Sequence, residues 1–203
     1  LVHAANADPR FAGVFTLSAA AAAPVLWDQK AAKGGRVRAL IVNAGNANAF
    51  TGKLGMASVQ RTVAATAKLL KCKPTDVFVS STGVIGVPLP DDKIIAALPS
   101  TLESPAVGWE AAARAIMTTD TFPKGSARLA KIGKATVNIA GFIKGSGMIA
   151  PNMGTMLGYV FTDAKLPAAV LRGLLKPASD RTFNSITVDS DTSPSDTILL
   201  TAT

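Results

Sequence analysis

Short runs of β-branched and aliphatic residues alternate along this chain with stretches of helical periodicity, and that alternation most limits the fold it can adopt. After Gly34-Gly35, residues Val37 to Val42 make a buried strand, and Asn43-Ala-Gly-Asn-Ala-Asn48 reads as the polar turn that ends it. Helical spacing follows from Met56 to Lys71, with Met56, Val59, Val63 and Leu70 on one face. Asp76 to Ser80 is a second short strand, after which the glycines of Ser81-Thr-Gly-Val-Ile-Gly86 let the backbone turn sharply. Ser104-Pro105 predicts a cap and first-turn proline opening a helix that carries Trp109, Ala113 and Ile116 inward. Ala135 to Ile143 predicts a strand with both faces covered, followed by a loop from Lys144 to Gly154. Thr155 to Phe161 is again strand-like, Leu166-Pro167 starts a helix through Lys176, and Thr197 to Thr203 reads as a buried strand. Strands and helices intermix, so the expected class is α/β to α+β, built of layered sheets and helices.

Composition excludes much of the chemistry such a fold could host. With 48% hydrophobic and 17% charged residues over 203 positions, the chain has enough apolar surface to fold, and disorder is excluded. The alanine run from Ser18 to Ala23 is closed by Pro24, well short of a membrane span. One cysteine, Cys72, and one histidine, His3, leave no disulfide framework, no Cys/His metal site and no Ser-His or Cys-His triad. The net charge of +8 is spread from Arg10 to Arg181, and with a single tyrosine there is neither a basic arm nor a stacking platform for nucleic acid.

Lys144-Gly-Ser-Gly-Met-Ile-Ala-Pro-Asn-Met-Gly154-Thr155 is the most informative segment. Gly145-x-Gly147 lacks the further glycines and the Lys-Ser/Thr pair of a phosphate loop, and glycines between two strands commonly serve a turn. A third reading is chemical. A Gly-Thr bond at the head of a strand sets a hydroxyl beside an unhindered carbonyl, as an N-to-O acyl shift requires. Hydrolysis of the ester would leave Thr155 as a new N-terminus, whose α-amine, with an intrinsic pKa of about 8, can act as base for its own hydroxyl. Such a nucleophile needs no histidine.

This segment resembles the processing region of the ornithine acetyltransferases, the bifunctional glutamate N-acetyltransferases of the ArgJ family. Ala12-Gly-Val-Phe-Thr16, Ala23-Pro-Val-Leu26, Asn43 to Asn48, Ser80 to Gly86, Ile116-Met-Thr-Thr-Asp-Thr121 and Phe183-Asn-Ser-Ile-Thr-Val-Asp189 resemble further blocks of that family, in family order. The resemblance implies a DmpA/ArgJ-like self-processing fold cut between Gly154 and Thr155. It makes Thr155 the nucleophile that carries the acetyl group, Thr82 and Gly83 the oxyanion-stabilising pair, and Thr121, Lys144 and Thr155 substrate-binding positions. It also implies transfer of acetyl from N-acetylornithine to glutamate by a ping-pong route in arginine biosynthesis, in the cytoplasm or an organelle. No metal and no resident cofactor are implied, with acetyl-CoA a co-substrate in some members. The α and β fragments would assemble as an α2β2 heterotetramer, without nucleic acid or membrane. Two rivals compete: an aminopeptidase or amidase of the self-processing class, in which water resolves the acyl-enzyme, and a basic binding module with glycine loops.

The chain departs from the family pattern in carrying Gly154 where alanine is commoner, and Ser185, Ser190 and Ser195 where Arg, Gly and Asn are frequent. On this reading residues 1–154 are most of the α part and 155–203 the opening of the β part. The later acidic and C-terminal residues that close the family's substrate site are then not among these positions.

Overall fold

The computed structural model describes residues 1–4, 8–150 and 156–203. In chain order its elements are strands β1 (Val2–His3) and β2 (Arg10–Phe15), helix α1 (Ala23–Ala31), strand β3 (Ala39–Asn46), helix α2 (Gly52–Leu70) and strand β4 (Val77–Val84). Helices α3 (Asp91–Glu103) and α4 (Trp109–Ala115) precede strands β5 (Lys124–Ile132), β6 (Ala135–Lys144) and β7 (Leu157–Thr162). Helix α5 (Ala168–Arg181) and strand β8 (Thr197–Ala202) follow.

Two sheets result. The smaller has the order β1-β3-β4, the larger β2-β8-β7-β6-β5. Parallel neighbours need a crossover, and the chain supplies a helix each time: α2 between β3 and β4, and α5 between β7 and β8. Alternation along the strands sorts their side chains into layers. Ala39, Ile41, Val77 and Val79 face Val59, Val63 and Ala67 of α2, while Leu40 and Phe78 face the other way, onto Phe11, Phe142, Tyr159 and Leu199 of the larger sheet. That sheet's outer face, through Ala12, Ile198 and Ala202, is covered by Leu171 and Leu175 of α5. The architecture is therefore four layers, helix–sheet–sheet–helix, with the central core between the sheets. Phe11 and Phe78 close it with ring centroids 4.1 Å apart, each fully buried and each worth about 2–3 kcal/mol of transfer free energy. Among the described residues, no helix is long and apolar enough to cross a membrane.

Several local expectations change. β3 runs on through Asn43-Ala-Gly-Asn46, and β4 through Ser81-Thr-Gly-Val84, because the two segments pair with each other in parallel and so satisfy the backbone groups that a turn would have left free. Ser104 ends α3, its hydroxyl donating to the Ser100 carbonyl at 2.8 Å, and the next helix starts only after Gly108. Ala113 and Ile116 do point inward, but Trp109 is 46% exposed, stacked on Phe161 at 4.8 Å. β6 is not covered throughout on both faces: Phe142 and Lys144 are buried on one face, but on the other Val137 is buried while Ile139 is 36% exposed. The helix expected to stop at Lys176 continues to Arg181, passing Pro177, which has no N–H to give the Gly173 carbonyl. β8 is hydrogen-bonded on both sides, to β2 and β7, and is an interior strand of its sheet.

Candidate active site

The carboxyl ends of parallel strands are where open α/β sheets leave a crevice for ligands, and here β3 and β4 end at a cleft of about 830 Å³. Its walls come from the ends of these strands, the turn after α4, the loop that follows β6 and the segment before β8. Asn43 shapes the floor: its side chain accepts the Ser81 hydroxyl at 2.6 Å and donates to the Asn46 carbonyl at 2.7 Å, where the β3 register shifts. There β3 and β4 come very close. Gly83 has φ +130°, and a Cβ on it would lie 2.2 Å from the Gly45 carbonyl carbon and 2.6 Å from the Asn46 nitrogen, so only glycine fits.

Lys144, the last residue of β6, is 3% exposed and reaches into this cleft from the opposite wall. Its ammonium donates to the Thr118 hydroxyl at 2.9 Å and the Thr82 hydroxyl at 3.2 Å, and lies 3.8 Å from the Asp120 carboxylate. Burial lowers its pKa, Asp120 and Asp196 oppose that, and Lys124 adds to it. For Asp120, burial pushes upward but is outweighed by bonds from Lys124 at 2.6 Å and the Gly145 N–H at 2.8 Å, by the Thr118 N–H and by the Lys144 charge. The carboxyl therefore stays below its ordinary range. A lysine held this way, backed by hydroxyls and still facing a cleft, is a point charge for a small anion such as an amino-acid carboxylate.

Of the residues singled out from sequence, Thr82, Gly83 and Lys144 meet at this cleft. Thr121 is exposed and does not line it; Thr118, three residues earlier in the same Met-Thr-Thr-Asp-Thr stretch, puts its hydroxyl there instead. Gly154 and Thr155 lie outside the described residues. Met156 is described: its N–H donates to Asp196 Oδ1 at 2.7 Å and its carbonyl accepts the Thr197 N–H at 3.0 Å. Burial pushes the Asp196 carboxyl up to about 8, against the downward pull of the Met156 N–H, the Ser193 hydroxyl and Lys144.

Thr118, Asp120 and Asp196 were not read as site residues from the sequence. The first two sit inside a recognised block, so the block was a signal for the segment but not for which hydroxyl turns inward. Of the serine departures, Ser195 lines the cleft and Ser190, between the cleft-lining Asp189 and Asp191, has φ +64°, a conformation that glycine adopts more readily than serine. The Asp189 carboxylate holds that wall to the loop after β6, accepting the Met148 N–H at 2.6 Å and the Ile149 N–H at 3.0 Å.

Comparison with known proteins extends these observations. The ArgJ family model matches residues 1–203. The arginine biosynthesis bifunctional protein ArgJ of Gluconobacter oxydans is 57% identical over 195 residues, which are 95% of this chain and 46% of that protein. That of Bradyrhizobium diazoefficiens is 52% identical over 193 residues, 95% of this chain and 47% of its own length. The chain thus spans about half the length of the curated relatives it matches. Among solved structures, arginine biosynthesis bifunctional protein ArgJ from Bacillus halodurans superposes with a TM-score of 0.62 at 35% identity, covering 77% of this chain and 78% of that one. Ornithine acetyltransferase from Mycobacterium tuberculosis, solved with ornithine, gives 0.63 at 35% identity, covering 76% and 81%. A family match along the whole chain, relatives at half identity and the same fold in solved members lead to one assignment: this chain belongs to the ArgJ family.

Proposed function

We propose that the protein carrying this chain cleaves itself between Gly154 and Thr155 and then transfers acetyl from N-acetylornithine to glutamate, contributing to arginine biosynthesis. The observation that carries the reading is Lys144: a buried ammonium, joined to the hydroxyls of Thr82 and Thr118 in an open cleft, suits the carboxylate that both substrates share. The names of the relatives support the pathway, and ornithine in the Mycobacterium tuberculosis structure supports the substrate class. Chain lengths support the cut. The solved Bacillus halodurans chain is about as long as this one, since 77% of this chain covers 78% of it, whereas this chain covers 46% of the curated Gluconobacter oxydans protein.

In this mechanism the α-amine of Thr155 takes the proton from its own hydroxyl, and Oγ1 attacks the acetyl carbonyl of N-acetylornithine. The oxyanion of the tetrahedral intermediate is stabilised at Thr82 and Gly83. A single such donor is worth about 3–4 kcal/mol where one has been removed. Collapse breaks the amide C–N bond, and ornithine leaves with the proton held by the amine. The glutamate amine then attacks the acetyl ester, returning the proton to Oγ1 and releasing N-acetylglutamate. Lys144 and Thr118 hold the substrate carboxylate in both halves of the cycle, and Thr121, exposed and outside the cleft, takes no part in it. Residues 1–154 form most of the α part and Thr155 opens the β part, the two parts assembling as α2β2 in the cytoplasm. Acetyl-CoA is an alternative acetyl donor and not a resident cofactor.

Intact-mass measurement of wild type and Thr155→Ala tests the reading. Wild type should separate at Gly154–Thr155 and transfer acetyl to glutamate faster than to water, and the variant should do neither. Cleavage of that bond in the variant, or hydrolysis outrunning transfer in wild type, would refute it.

A further inference from the structure

Asp196 stands immediately before β8 and is fully buried. The parallel ladder between β7 and β8 ends at Leu157 paired with Thr197, one residue short of Met156. Asp196 supplies what the ladder lacks. Its Oδ1 accepts the Met156 N–H at 2.7 Å while the Thr197 N–H donates to the Met156 carbonyl at 3.0 Å, so one dipeptide holds both polar backbone groups of Met156. That dipeptide is itself anchored: the Asp196 carbonyl accepts the Thr16 N–H at 2.9 Å, and the Thr16 hydroxyl donates to the Ser193 carbonyl at 2.8 Å. The Met156 nitrogen forms the peptide bond to Thr155, so Asp196 bonds the backbone one covalent link from the residue read as the nucleophile. Asp196 Oδ2 has no donor at hydrogen-bonding geometry among the described residues, although the Ser193 hydroxyl is near enough to pull the carboxyl's pKa down. A buried carboxyl half-satisfied in this way is an expensive means of holding one N–H, and such groups persist where the arrangement serves the site.

We propose that Asp196 is a positioning residue for Thr155, clamping the peptide between Thr155 and Met156 in the orientation that self-cleavage and acetyl transfer both need. The inference rests on the reading of Thr155 as the nucleophile. Burial pushes the carboxyl up to about 8, so near neutral pH it is protonated, keeping one oxygen as acceptor for the Met156 N–H and carrying the proton on the other. Asparagine has the same acceptor beside a donor, without the charge. Lengthening to glutamate moves the acceptor by a methylene, and alanine removes it.

The test is made in the protein carrying this chain, with self-cleavage followed by intact mass and transfer by steady-state kinetics. Asp196→Asn should cleave and turn over within about threefold of wild type. Asp196→Ala should slow cleavage and lower kcat at least about tenfold, with KM for acetylornithine and glutamate within about twofold, because the group orients the nucleophile and does not touch substrate. If the alanine variant gives no cooperative thermal unfolding transition, Asp196→Glu decides, and it should show the same kcat loss in a folded protein. Wild-type cleavage and kcat in the alanine or glutamate variant, or a KM effect at unchanged kcat, would overturn the proposal. Wild type and Thr155→Ala run alongside: failure of wild type to cut at Gly154–Thr155 removes the nucleophile reading itself, whereas normal cutting in wild type and in the Asp196 variants removes only the role of Asp196.

Discussion

Replacing Gly83 by alanine tests the close approach of β3 and β4 that forms the floor of the cleft. The residue has φ +130°, which an L side chain occupies only under strain of about 1–3 kcal/mol. The added Cβ would also lie 2.2 Å from the Gly45 carbonyl carbon and 2.6 Å from both the Gly45 oxygen and the Asn46 nitrogen, all backbone atoms that cannot swing away. Forcing them apart is overpacking, costing about another 1–3 kcal/mol. The sum, about 2–6 kcal/mol, is a large share of the 5–15 kcal/mol typical of a folded domain. Gly86 separates the two terms, since its φ is +84° but nothing lies within 4 Å of its would-be Cβ. Gly86→Ala should therefore show the conformational part alone. In urea unfolding followed by circular dichroism, Gly83→Ala should lower the midpoint by about 0.5–1.5 M more than Gly86→Ala, the overpacking part alone at a slope of about 2 kcal/mol per M. Equal midpoints in the two variants would mean that β3 and β4 do not touch at Gly45 and Gly83, and the geometry assigned to the cleft floor would be wrong.

Thr118→Val should raise the KM for acetylornithine by about tenfold, the value of one hydrogen bond to a charged group, while Thr121→Val leaves kcat and KM unchanged; the reverse pattern would move the substrate carboxylate away from Lys144. The buried Asp196 also predicts a pH dependence of stability, measurable in a Thr155→Ala background where no cleavage intervenes. Its folded pKa, about 8, lies above the ordinary 3.8, so between these values the unfolded chain releases a proton that the folded chain keeps, and stability falls as pH rises. Asp28, raised for the same reason, adds a fall of the same sign, whereas Asp91 and Asp120, held low, lose their contribution as pH falls. Adding Asp196→Asn should therefore gain on the background by roughly 2–4 kcal/mol between pH 5 and pH 8 in urea titrations, and a gap that does not change with pH would contradict a buried, proton-retaining Asp196.

What the sequence determined by itself was local or covalent. The strand expected at Val37–Val42, seen from Ala39 onward, and the face of α2 follow from side-chain periodicity, which any short window displays. The scarcity of histidine and cysteine bounded the chemistry without reference to shape, and the ordered motif blocks carried the family. Tertiary structure decided what depends on partners distant in the chain. Asn43 to Asn46 and Ser81 to Val84 look like turns because asparagine, serine and glycine favour turns, yet they extend two strands because each supplies the other's hydrogen bonds across about 40 residues. Ser104-Pro105 carried a helix-start signal that lost to the end of α3. Thr118 and Thr121 are chemically alike and three residues apart, so only the path of the chain after α4 could choose between their hydroxyls. Asp196 gave no signal at all, because an aspartate reads as a surface residue until β7 and β8 come together and enclose it.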